Sequence, residues 1–190
     1  MTSSGFDHAY LEVNELRLDV TTKSPEEITK IVFDVTSSLF RDDRQISQCF
    51  IMLATRPRVA LLHVSPRNVS HQTKSGVAVG VREIAVKFEA KLLYAVSEAW
   101  KSTVARKEDE PPKIPKLEPR HDPNREEVVA ITIEDPAAVP PMSMWIAKID
   151  RKHGRPKLLE WTHLSATAKE LFGRLMYLLP PEAYGKRVDA

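Results

Sequence analysis

Cys49-Phe50-Ile51-Met52-Leu53-Ala54 and Val59-Ala60-Leu61-Leu62-His63-Val64 are two apolar runs separated by Thr55-Arg56-Pro57-Arg58. Short continuous apolar runs bounded by turn residues read as strands. The pair therefore predicts a hairpin whose strands are covered on both faces. Pro66 ends the second strand. A sheet built outward from this hairpin needs helices to cover it.

Upstream, Ser24-Pro25-Glu26-Glu27 is a helix start. Ser24 can cap, Pro25 suits the first helical position, and Glu27 completes a capping box. Ile28, Ile31, Val32, Val35 and Leu39 follow at helical spacing, so a helix is expected to about Phe40, where the charged segment Arg41 to Arg44 stops the apolar pattern. Leu16, Leu18 and Val20 alternate with polar neighbours and predict an edge strand near 11–20, after a mobile tail over 1–10.

Downstream, Val77, Val81, Ile84, Ala85 and Phe88 form the apolar face of a helix near 73–89, and Leu92 to Val96 reads as a buried strand. Strand, helix and strand in close order predict a parallel crossover. The segment 101–127 holds Pro111, Pro112, Pro115, Pro119 and Pro123 with almost nothing apolar, and reads as disordered or as a surface excursion. Alternation at Val129, Ile131 and Ile133, and again at Trp145, Ala147 and Ile149, predicts a meander. It turns at Lys152-His153-Gly154-Arg155 and returns over Leu158 to Trp161. Thr167 and Glu170 form a second capping box for a last helix with Leu171, Leu175, Leu178 and Leu179 on its face, ended by Pro180-Pro181. The expected architecture is a single α+β domain over 11–181 with a C-terminal tail over 182–190. It should hold a mixed, mostly antiparallel sheet of five to six strands and about three helices, in two or three layers.

Composition narrows the chemistry. The chain has 190 residues, one cysteine, six glycines and a net charge of +2. One cysteine excludes a disulfide framework and a multi-cysteine zinc site, and fits a reducing, cytoplasmic setting. No placement of the six glycines gives a phosphate-cradling loop or a nucleophile elbow. No apolar stretch approaches the roughly 18 residues of a membrane span, and Met1 to Tyr10 lacks the pattern of a secretory signal. So small a net charge gives no overall pull toward nucleic acid.

Tyr94-Ala95-Val96-Ser97-Glu98-Ala99-Trp100, followed by His121-Asp122-Pro123-Asn124-Arg125-Glu126-Glu127-Val128, resembles small uncharacterised bacterial and phage proteins. There an apolar strand ends in a Ser-Glu-Ala-Trp-like element, and a Pro-rich loop leads to an Asp-Pro-x-Arg-Glu-Glu-like element. The resemblance spans about 91–150 and implies a microbial or phage origin. It carries no activity or catalytic residue over.

Three groups of residues bear on function. Glu98, Asp122, Glu126 and Glu127 would form an acidic cluster if the strand ends near 98 and 126 are neighbours. Carboxylates held together on rigid strands can fix Mg²⁺ ions about 4 Å apart for phosphodiester chemistry. The structural alternative is that Arg125 pairs with Glu98 or Glu126 and fastens the loop to the sheet. The second group is His63, His71, His121, His153 and His163, none of which makes an i, i+4 ligand pair. His63 reads as a core histidine. Cys49 could be a nucleophile only with a histidine beside it in space, and otherwise is a small buried hydrophobe. The third group is basic. Arg151, Lys152 and Arg155, with His153 and Lys157, surround one turn, and Arg56 and Arg58 another. They could hold a nucleic-acid backbone, with Trp100, Trp145 or Trp161 as stacking surfaces.

The leading expectation is a non-catalytic protein that binds a protein partner or self-associates, without cofactor and away from membranes. The alternatives are a Mg²⁺-dependent nuclease-like enzyme using Glu98, Asp122 and Glu126, and a nucleic-acid-binding protein using Arg151, Lys152 and Arg155.

Overall fold

A computed structural model of the chain describes residues 11–16, 23–46, 48–54, 59–64, 71–101, 123–151, 154–164, 178–180 and 182–184. The hairpin forms as its sequence dictates. Strands β2 (Cys49–Ala54) and β3 (Val59–Val64) pair antiparallel from Cys49↔His63 to Leu53↔Val59. Strand β1 (Leu11–Leu16) pairs antiparallel with the far side of β3 and makes the expected edge.

Helix α1 (Pro25–Asp43) starts at the predicted capping box. Ser24 Oγ accepts the Glu27 amide at 3.2 Å, and Glu27 Oε2 accepts the Ser24 amide at 2.7 Å. It runs one turn past Phe40, because charged residues at exposed positions end an apolar pattern without ending a helix. Arg44 closes it in the left-handed region (φ 62°), its amide bonded to the Phe40 carbonyl at 2.8 Å.

Helix α2 (His71–Phe88) follows β3, so His71 opens a helix rather than lying in a loop. Strand β4 (Ala90–Lys101) pairs antiparallel with β2, on the side away from β3. β3 and β4 therefore run in the same direction with β2 between them. The predicted crossover exists, but it spans a strand and forms no parallel ladder. Gly76 gains nothing from its missing side chain, since a Cβ there would meet no atom within 4 Å.

Strands β5 (Glu126–Glu134), β6 (Met142–Asp150) and β7 (Lys157–Leu164) complete the meander. Gly154, at φ 90°, makes the β6–β7 turn, a conformation that glycine adopts without penalty. The sheet has seven strands in the order β1-β3-β2-β4-β5-β6-β7, and every neighbouring pair is antiparallel. The α+β class is as expected; the edge strand raises the count to seven, and no parallel pair occurs. The predicted last helix lies, up to residue 177, outside the described residues. So does the 102–122 part of the Pro-rich segment.

Side-chain alternation gives the sheet two buried faces. Phe50, Met52, Ala60, Leu62 and Leu93 pack with Val77, Val81, Ala85 and Phe88 of α2. Tyr94, Val96, Val129, Ile131 and Ile149 pack with Val32 and Phe40 of α1 on the other face. The helices thus cover opposite faces, giving three layers. Glu134, on the α2 face, is 0% exposed. Its carboxylate accepts the amides of Leu178 (2.8 and 2.9 Å) and Leu179 (3.0 Å) and the Tyr184 hydroxyl (2.7 Å). These bonds satisfy the buried carboxyl group and pin Leu178, Leu179 and Tyr184 to β5.

Candidate functional site

The β4–β5 register decides the fate of the acidic cluster. Trp100 lies opposite Glu127, Lys101 opposite Glu126, and Glu98 opposite Val129. Residues directly opposite share a face. Glu98, Trp100 and Glu127 therefore lie on the α1 face, while Glu126 lies on the α2 face. Glu98 and Glu126 do not converge, and Asp122 lies outside the described residues.

The glutamates that do meet are held by a cation. Arg151 donates through Nε and Nη2 to the two carboxylate oxygens of Glu127, the second at 3.3 Å, and stands 3.9 Å from Glu98 Oε2. That bonding raises the Arg151 pKa. The other Glu98 oxygen accepts the Ile46 amide at 2.7 Å and ties the end of α1 to β4. On the opposite face Lys148 pairs with Glu126 and lowers the Glu126 pKa, chiefly through their hydrogen bond. Arg125 lies over the Trp100 ring, 4.7 Å from its centroid. Fastening of strand ends is thus observed, with Arg151 as a clamp between β4 and β5. Among the described residues, no group of three or more His, Cys, Asp or Glu side chains could hold a metal ion.

Of the basic turn, Arg151 is engaged by the glutamates, Arg155 and Lys157 are exposed, and Lys152 and His153 lie outside the described residues. Trp145 and Trp161 are not open stacking platforms. Phe33 of α1 stacks on Trp161 at 4.9 Å and meets Trp145 edge-on at 5.3 Å, and Trp161 Nε1 donates to Ser37 Oγ at 3.2 Å. His163 is exposed, its ring 4.8 Å from that of Trp145.

The histidine that Cys49 would need is present in register: Cys49 lies directly across from His63. No hydrogen bond joins them. Burial pushes the Cys49 thiol up to about 11, so it is protonated at neutral pH, and only the thiolate is a nucleophile.

The surface that remains is apolar. Val32, Thr36 and Phe40 are the buried row of α1. Ile31, Val35 and Leu39 form a second row four residues apart, 43%, 49% and 47% exposed. Phe33 and Ser37, on the opposite flank, face Trp145 and Trp161 of β6 and β7. Thr29 Oγ1 hydrogen-bonds the Tyr94 hydroxyl at 3.0 Å and Ile46 meets Glu98, so α1 and the residues after it are tied to β4 while the Phe33–Ser37 flank packs on β6 and β7. The exposed row therefore looks toward β2 and β3. There Ile51, Leu61 and His63, on the same face of the sheet, are only half-buried. Helix flank and sheet together make an apolar step. The expectation that the hairpin is covered on both faces holds on the α2 face and, on this one, at Leu53 and Val59, which are buried with Val32 and Phe40 of α1; it does not hold at Ile51, Leu61 and His63.

Ile28, Ile31, Val32, Val35 and Leu39 share one helical spacing in the sequence, which does not separate the two apolar rows of the helix. The signal for the buried row was Phe40, which extends the Ile28-Val32-Thr36 row and is 1% exposed. Among the described residues, no helix is long and apolar enough to cross a membrane. Searches against family models, curated proteins and solved structures give no match.

Proposed function

We propose that this chain is a non-catalytic binding protein that engages a protein partner through the step between α1 and the β2–β3 hairpin. The observation that carries the reading is the Ile31-Val35-Leu39 row, three large apolar side chains nearly half exposed beside half-buried Ile51 and Leu61. Single exposed apolar residues are ordinary, but a contiguous row over a half-covered sheet is what a binding surface offers. The ionisable groups of the sheet end support the same reading. Glu98, Glu127 and Arg151 are engaged with one another, as are Glu126 and Lys148, in pairs that link neighbouring strands.

Photo-crosslinking from position 35 in cells, with the exposed Val139 as control position, tests the proposal. The expected result is an adduct specific to position 35. Its identified partner, once purified, should bind the chain at least about tenfold more weakly after Val35→Asp. Equal adducts from both positions would contradict it.

A further inference from the structure

Resting on that reading, we infer that the occupant of the step is a cationic amphipathic helix supplied by another protein. Three features of the step converge on it.

The first is shape. Because α1 covers Leu53 and Val59 but leaves Ile51, Leu61 and His63 of β2 and β3 half-buried, an apolar corner stays open between its exposed flank and that end of the hairpin. Packed helices lie about 8–10 Å apart, so a helix seated there would touch both the flank of α1 and the hairpin. The second is the pattern of the wall. Ile31, Val35 and Leu39 form an i±4 ridge, the kind that fits the groove of another helix.

The third is charge, and it selects the chemistry of the occupant. The ridge is bracketed by acids: four residues before Ile31 comes Glu27, and four after Leu39 comes Asp43. Asp34 and Asp42 lie on the adjacent row. All four are exposed. The helix holds five acidic residues (the four named and Glu26) against Lys30 and Arg41, in a chain whose net charge is +2. Negative charge is thus gathered at the rim of the apolar row. A partner with leucine-like residues on one face and Lys or Arg on its flanks satisfies both parts. A second copy of this chain does not. A twofold axis at Val35 would bring Asp34 toward Asp34 of the other copy, and like charges across an interface count against pairing.

The test uses the full chain and a designed peptide of about 18 residues, with Leu at helical i, i+3, i+4, i+7 spacing and Lys elsewhere. Its twin replaces every Lys by Glu. Calorimetric titration should show one Lys peptide per chain, an affinity that falls as salt rises, and no binding of the twin. Leu39→Asp and Asp34→Lys should each weaken binding by about tenfold while the circular dichroism stays unchanged. No binding of the Lys peptide, equal binding of both peptides, or indifference to both substitutions would overturn the inference. Sedimentation showing a dimer that Val35→Asp dissociates would also overturn it and assign the step to a second copy. In that case, or if the crosslinked partner docks through an uncharged segment, the step remains a protein-binding site. Failure of the peptide together with an absence of adducts specific to position 35 would defeat both readings.

Discussion

The β2–β3 hairpin has two faces made from alternate residues of the same two runs, and they have met different fates. Toward α2, Phe50, Met52, Ala60 and Leu62 are all 0% exposed. Toward α1, Leu53 and Val59 are buried with Val32 and Phe40, while Ile51, Leu61 and His63 stay half-buried. Hydrophobicity alone does not separate the faces, since both carry aliphatic side chains. Helix placement separates them. One face is core throughout; the other is core at Leu53 and Val59 and half-open, still apolar, at Ile51 and Leu61.

Neighbouring residues on one strand give the largest test of this contrast. Phe50→Ala should lower the unfolding free energy by about 3–5 kcal/mol in urea denaturation, since it empties a packed site. Ile51→Ala, its neighbour on the half-open face, should lose less than about 2 kcal/mol. Equal losses would erase the distinction. Nearly as large an effect is expected at the other buried anchor. Glu134→Ala leaves the Leu178 and Leu179 amides without their acceptor, each worth about 1–3 kcal/mol. Tyr184→Phe should remove only about 1 kcal/mol, because it deletes one donor and no acceptor.

Local chemistry explains what was legible before any coordinates. The Ser24-to-Glu27 box and the Gly154 turn are decided within a few residues, and both fall where the sequence places strand and helix boundaries. β4 extends beyond its apolar run to Lys101, because pairing with β5, not hydropathy, holds Ser97 to Trp100 in the sheet. The Arg151 clamp joins residues of β4, β5 and β6, so it depends on a register that no spacing reveals. Glu134 hides for the opposite reason: a carboxylate reads as surface until its three donors are in place. Two apolar rows run along α1, and only the position of the sheet chooses which of them is buried.

Smaller effects sharpen the contrast on the half-open face. Cys49 lies there, half-buried like its neighbours, and a thiol pushed up to about 11 is roughly 0.1% thiolate at pH 8. Its alkylation by iodoacetamide in the native chain should therefore be on the order of a hundredfold slower than in urea and should quicken as pH approaches 11. A rate matching the unfolded chain would show the face to be open through to β2. Arg151→Ala should lose no more than about 1 kcal/mol, as its ion pairs are partly exposed. A loss of several kcal/mol would make the sheet end a core element.

The claim that the Ile31-Val35-Leu39 row is binding surface and not core is tested most directly by Val35→Asp, with melting temperature and Lys-peptide affinity measured on the same sample. The account predicts a melting temperature within about 2 °C of the parent and an affinity reduced about tenfold. A fall of more than about 8 °C, as expected for a charge forced into a packed interior, would contradict it.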